Sequence, residues 1–158
     1  DMGEIARLAD EYEKATRYFE SLAEKIAEKD LDNRHPDGWS ARQVIHHLAD
    51  SEAQSYARLR RLIAEPDGSI IQGYDENLWA SNSILGYNEL DVVESMKVFS
   101  SVRAASLTIF RRLADGDLER WGEHTERGRI TIRDWHSSYS KHPLDHAEQL
   151  ERAVRGVL

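Results

Sequence analysis

Apolar residues recur at helical spacing through four long segments of this chain, and nothing else in the sequence constrains its fold as strongly. From about Glu4 to Glu28 the stripe is Ile5, Leu8, Tyr12, Ala15, Phe19, Leu22 and Ile26. Steps alternating between three and four keep these residues on one helix face. A second segment starts at Ser40 and carries Val44, Ile45, Leu48, Tyr56, Leu59, Leu62 and Ile63 before Pro66-Asp67-Gly68 ends it. A third, from about Asn88 to Ala114, carries Val92, Met96, Phe99, Val102, Ser106, Ile109 and Leu113, with Gly116 as its expected C-cap. A fourth runs from Thr131 to about Arg155. Ser40 with Gln43, and Thr131 with Asp134, read as N-terminal capping pairs, and Trp39 as a staple onto Val44. Pro36 and Asp37-Gly38 break the first segment from the second. Residues 65–88 are too long for an ordinary loop and too aromatic for a solvated linker, with Tyr74-Asp75-Glu76-Asn77-Leu78-Trp79 at their centre. They predict a crossover with a helical turn near Glu76 to Ser81, long enough to let helices 2 and 3 run parallel. A brief two-stranded turn is expected around Gly128. The fold class is therefore all-α, a four-helix bundle in one domain spanning 1–158, with a long crossover between helices 2 and 3.

Composition narrows the function classes. Lys plus Arg is 21 against 29 Asp plus Glu, a net charge of −8. An acidic chain is poorly matched to phosphate backbones and anionic membrane surfaces. The absence of cysteine removes disulfide frameworks, thiolate metal sites and cysteine nucleophiles. No run approaches the ~18 apolar residues of a membrane span. The first thirty residues are too charged for a secretory leader, and the Asp1-Met2 start reads as a trimmed or engineered end. A cytoplasmic protein is expected, with neither nucleic acid nor membrane as partner.

The chemistry lies in the histidines. The inward stripe of the fourth segment reads Ile132, Trp135, Tyr139, His142, His146, Leu150. Two imidazoles four residues apart occupy places where the pattern calls for apolar side chains, and their Cβ atoms lie roughly 5–6 Å apart. That spacing lets both reach one metal; two core histidines satisfied by backbone or tyrosine partners fit this helix equally well. The second segment adds His46-His47. His47, between Val44 and Leu48, flanks the buried stripe beside Ser51 and Ser55. His46 is turned by about 100° towards Arg42, Gln43 and Asp50, a face expected to be solvated. His47, His142 and His146 form the candidate tripod, whose three neutral ligands leave a fourth position open to water or substrate. Imidazole suits Zn, Ni, Cu or Fe alike. Pro143 predicts a kink at the site rather than an early helix end. His35, His124 and His136 show no ligand spacing. Asp50 and Asp145 are candidates to orient ligands, with an ordinary surface carboxylate as the competing reading for both and the preferred one for Asp145.

The stretch Gly38-Trp39-Ser40-Ala41-Arg42-Gln43-Val44-Ile45-His46-His47-Leu48-Ala49-Asp50-Ser51, together with His142-x-x-x-His146, resembles the DinB/YfiT-like superfamily. Tyr74-Asp75-Glu76-x-x-Trp79 is similar to its YfiT-like subgroup. The resemblance covers nearly the whole chain. It implies a four-helix bundle holding one divalent metal, Zn or Ni, on His47, His142 and His146, and a homodimer. It further implies a metal-dependent hydrolase, or a transferase or isomerase using a low-molecular-weight thiol. Pro143 and Asp145 depart from what relatives often carry between the paired histidines.

Two readings of function follow. One is a metalloenzyme acting on a small-molecule substrate, activating water or a thiol. The other is a non-catalytic, stress-associated bundle in which metal crosslinks two helices. No His-Glu-x-x-His base is present; Asp50, Tyr139 and a residue of the 74–79 loop are the catalytic candidates.

Overall fold

The computed structural model describes residues 3–158, so the Asp1-Met2 start lies outside it. The four long helices are α1 (Glu4–Glu24), α2 (Ala41–Ala64), α4 (Val93–Phe110) and α5 (Ile132–Val154). Between α2 and α4 lie strand β1 (Ser69–Ile71) and the short helix α3 (Glu76–Ser81). Strands β2 (Trp121–His124) and β3 (Gly128–Thr131) precede α5.

The caps act as read. Ser40 Oγ accepts from Gln43 N at 3.1 Å while Gln43 Oε1 accepts from Ser40 N at 2.8 Å. Thr131 and Asp134 exchange the equivalent pair at the start of α5. Asp75 starts α3 by accepting from Leu78 N.

Two helices are shorter than their stripes. α1 stops at Glu24 because Ala27 turns extended and opens a 3₁₀ turn over Glu28–Asp30; Ile26 still packs on the core, from outside the helix. α4 starts only at Val93, whose N–H donates to Asp91 Oδ1, and after Phe110 the chain tightens into successive i→i−3 turns. Gly116 lies in a further 3₁₀ turn, Asp115–Glu119, and is not the cap of α4. The buried face of α4 also differs from the expected one. Phe99 and Ser106 are buried as anticipated, but Arg103 and Phe110 are buried where Val102 and Ile109 were expected. Arg103 is accommodated because Glu52 of α2 meets it at 2.7 Å, with both side chains fully enclosed.

Two core clusters give the direction of each helix. One contains Leu8 and Tyr12, Leu59 and Leu62, Phe110, and Ile132 with Trp135. The other contains Phe19, Val44 with Leu48, Phe99, and Ala147 with Leu150. The N-terminal halves of α1 and α5 thus meet the C-terminal halves of α2 and α4. So α1 and α5 run one way and α2 and α4 the other. The crossover does deliver two parallel helices, and α5 packs beside both α1 and α2.

The crossover contributes a strand that periodicity did not reveal. β1 pairs in parallel with β2, Ser69 opposite Gly122, and β2 pairs with β3 as an antiparallel hairpin turning at Gly128, where φ is +78°. A Cβ on Gly122 would lie 2.8 Å from both Ser69 O and Ile71 Cγ1, so only glycine admits β1 this closely. The rest of the crossover covers the side of α2 expected to face water. Arg42 reaches Asp32 and Leu90 O, and Tyr87 donates to Asp50. His46 is 6% exposed; its Nε2–H donates to Leu90 O at 2.9 Å, and its Nδ1 meets Ser95 Oγ at 2.7 Å. The solvated reading of that face is corrected: His46 and Arg42 are ties that fasten the crossover.

No described helix is long and apolar enough to cross a membrane.

Candidate metal centre

The site forms where α2 packs on α5. Val44 and Leu48 are fully buried, and the helical phase they set turns His47 into the seam, 1% exposed. Across it, α5 continues unbroken through Pro143, so the early-end reading of that proline is excluded and His142 and His146 stay on one face. The His47 ring lies edge-on to both, with centroids 5.3 Å from His142 and 4.9 Å from His146. One ring nitrogen from each lies within 4.8 Å of the others. His142 Nε2 and His146 Nε2 are 3.0 Å apart. The three histidines singled out as a tripod are thus brought together.

Neither nitrogen of His47 has a hydrogen-bond partner, nor does His142 Nδ1. Leaving such buried groups unpaired costs about 1–3 kcal/mol each. Burial, reinforced by His146, pushes His47 down to about 4, and burial followed by the neighbouring imidazoles pushes His142 down to about 2. Burial also lowers His146, against an opposing pull from Gln149 and Glu76. All three rings are neutral at pH 7, the form that coordinates metal. Gln149 Oε1 lies 2.6 Å from His146 Nδ1 and accepts its proton, which leaves the Nε2 lone pair facing His142. His142 Nε2 donates to that lone pair here; with its proton moved to the unpartnered Nδ1, the two Nε2 atoms and a nitrogen of His47 fit a shared divalent cation. Zinc, nickel and their neighbours suit this all-imidazole set.

Beside the histidines opens a cleft of about 290 Å³, walled by Ser51, Arg58, Tyr74, Glu76, His124 and Tyr139 among others. Glu76, on α3, places Oε2 at 3.3 Å from His47 Nε2. It is the member of the 74–79 stretch that reaches the centre. Its signal in the sequence is its place in the aromatic crossover and in the Tyr74-Asp75-Glu76-x-x-Trp79 stretch, where a catalytic residue is expected without being singled out. Tyr139 lines the cleft as well; burial raises its phenol, and its oxygen accepts from Arg58 Nη1 at 3.0 Å. That leaves the Tyr139 hydroxyl proton free to point at a bound molecule.

The other candidates lie elsewhere. Asp50 is not brought to the cleft; it accepts from Tyr87 under the crossover. Asp145 is exposed, and Gln149, overlooked in the sequence although it lies one turn beyond His146, orients that ring instead. Ser51 lines the cleft, but the hydroxyl of Ser55 turns away to Glu52. His136 is a structural tie, its Nε2 2.7 Å from Leu8 O on α1. His124 Nδ1 accepts the backbone N–H groups of Glu126 and Arg127, and the ring lines the cleft.

A sequence model of the DinB superfamily matches residues 11–150. The chain belongs to the DinB superfamily. Within the superfamily it is 33% identical over 147 residues to a protein of Oceanobacillus iheyensis, covering 89% of this chain and 81% of the relative. It is 29% identical over 146 residues to one of Bacillus mycoides, covering 87% and 82%. Both are named as candidate metal-dependent hydrolases. The structure of YfiT from Bacillus subtilis superimposes with a TM-score of 0.80 at 24% identity, covering 99% of this chain and 91% of that one. It is described as having an unusual four-helix bundle topology. Parallel α2 and α4 joined by a crossover are the form that a DinB bundle takes here.

Proposed function

We infer that this DinB protein is a metal-dependent enzyme. It binds one divalent ion per chain, zinc or nickel, on His47, His142 and His146, and activates a small nucleophile for attack on an electrophile held in the cleft. One observation carries the reading: three neutral imidazoles, His47 fully buried and His142 and His146 half-buried, converge beside an open cleft within reach of a carboxylate, with unpaired nitrogens on His47 and His142. A purely structural crosslink needs neither the cleft nor Glu76.

When bound, the ion supplies Lewis acidity and lowers the pKa of a nucleophile beside it. The chain's own residues do the rest. Gln149 holds the His146 ring in the tautomer that coordinates. Glu76 Oε2 takes the proton the nucleophile releases. Tyr139, backed by the Arg58 guanidinium, donates its O–H to the oxygen on which charge develops. Water as nucleophile makes the enzyme a hydrolase, which the names of its relatives support. A low-molecular-weight thiol makes it an S-transferase, and the sulfur then comes from a cosubstrate because the chain has no cysteine.

Metal-loaded protein assayed against a panel of small esters, amides and lactones, and against electrophiles with several biological thiols, tests the reading. Turnover in one panel that Glu76→Gln reduces by roughly 10²–10⁴-fold at unchanged metal content supports it. A protein that holds its metal and turns over neither panel is the stress-associated, non-catalytic bundle.

A further inference from the structure

Three arginines are more than nine-tenths buried. Arg42 pairs with Asp32 at 2.8 Å and Arg103 with Glu52 at 2.7 Å. Arg58, 7% exposed, has no carboxylate at ion-pair distance among the described residues. Its Nη groups donate to two neutral oxygens, Tyr139 Oη and Gln72 O, each at 3.0 Å, and its Nε has no partner. Neutral acceptors do not balance a buried cation, and a guanidinium enclosed without its counter-charge is strongly destabilising. Glu52, the enclosed carboxylate of this region, is already held by Arg103 and Ser55. Arg58 lines the cleft beside the three histidines.

The geometry points to a carboxylate-binding subsite on the wall of that cleft: Arg58 is the buried cation that awaits a carboxylate carried by the substrate, and Arg127 and His124 complete its donors. Arg127 lines the same wall and makes no ion pair among the described residues. Since His124 Nδ1 accepts two backbone N–H groups, its proton sits on Nε2, which makes the ring a fixed donor at the cleft. The two guanidiniums face this ring closely enough to hold its pKa down, after burial as the main cause. The planar fork of arginine matches a carboxylate in shape. Glu76 and Glu126 also line the cleft, so a more highly charged phosphate meets more repulsion than a carboxylate does. The substrate class is then a small molecule with a carboxylate held at Arg58 and its electrophilic carbon towards the histidines. This orientation rests on the proposed function; the subsite itself does not.

Calorimetric titration of the full chain, metal-loaded and after chelation, with succinate, its uncharged diamide and inorganic phosphate tests the subsite. Succinate is expected to bind both forms, the diamide neither, and phosphate more weakly. Arg58→Met and the exposed-site variant Arg127→Gln should each weaken succinate binding about ten-fold, with metal content as in the wild type. Arg127→Gln keeps the test sound if Arg58→Met fails to fold. Succinate binding no tighter than the diamide overturns the proposal, as does preference for phosphate or indifference to Arg127→Gln. Succinate binding seen only with metal and insensitive to both arginines means that it ligates the ion, which also overturns it. Arginine-dependent binding in a protein that never takes up metal upholds the subsite and removes the metal reading instead.

Discussion

His46 and His47 are sequence neighbours with opposite tasks. Neither ring nitrogen of His47 has a hydrogen-bond partner and its ring packs edge-on to two imidazoles, whereas both nitrogens of His46 are engaged by the crossover and the start of α4. His47→Ala should abolish tight metal binding at little cost to folding. His46→Ala should keep the metal but lower stability by about 1–3 kcal/mol, because Leu90 O loses one of its two donors and Ser95 Oγ loses its partner. Metal titration and urea unfolding of both variants check the pair. Gln149→Leu belongs to the same scale: releasing the His146 ring should weaken metal binding roughly 10–100-fold with the fold intact. The three ligand candidates were legible because histidine interrupted an apolar stripe. His46 was misjudged because a helix-wheel reading cannot see what the long crossover between α2 and α4 will cover, and Asp50 was carried along with it. Glu76, Gln149 and Arg58 carried no such interruption, since each is a polar residue at a position where polarity is ordinary.

At the scale of elements, both ends of α2 and α5 were legible, whereas the end of α1 and both ends of α4 were not. Capping pairs such as Ser40 with Gln43 are local hydrogen bonds between nearby residues. The early stop of α1 comes from the extended backbone at Ala27 and the 3₁₀ turn after it, where the apolar stripe still runs on to Ile26. The phase of α4 was misread for a different reason. A charged residue on a buried face is invisible as core until its partner is known, and Glu52 lies on another helix. This enclosed pair fastens α2 to α4. Glu52→Ala should therefore destabilise by about 3–5 kcal/mol, since it strands Arg103 in the interior. Chemical denaturation reads this directly, and a loss within about 1 kcal/mol would show that water reaches Arg103. β1 escaped notice because a strand of three residues is too short to show a period.

Across the whole molecule, the centre sits on a bundle with its own core. Five histidines, at 47, 124, 136, 142 and 146, have folded pKa values below the usual imidazole range, chiefly through burial. The unfolded chain binds more protons than the folded one once pH falls below ~6.5, so metal-free protein should lose stability progressively as pH drops through that value towards 4. Protons and metal compete for the same nitrogens, so metal affinity should fall over the same interval. Chelation at pH 7 should lower the melting temperature and leave the helical signal in place, because Phe19, Phe99, Leu48 and their neighbours remain packed without the ion. Thermal melts from pH 4 to 8, with and without chelator, follow both effects.

The central claim, one open metal position built on three converging imidazoles, is met most directly by elemental analysis of untagged protein dialysed against trace zinc or nickel. Wild-type protein should hold about one ion per chain, and the triple variant His47→Ala, His142→Ala, His146→Ala, still helical by circular dichroism, should hold none. Stoichiometric metal in that variant, or none in the wild type, would contradict it.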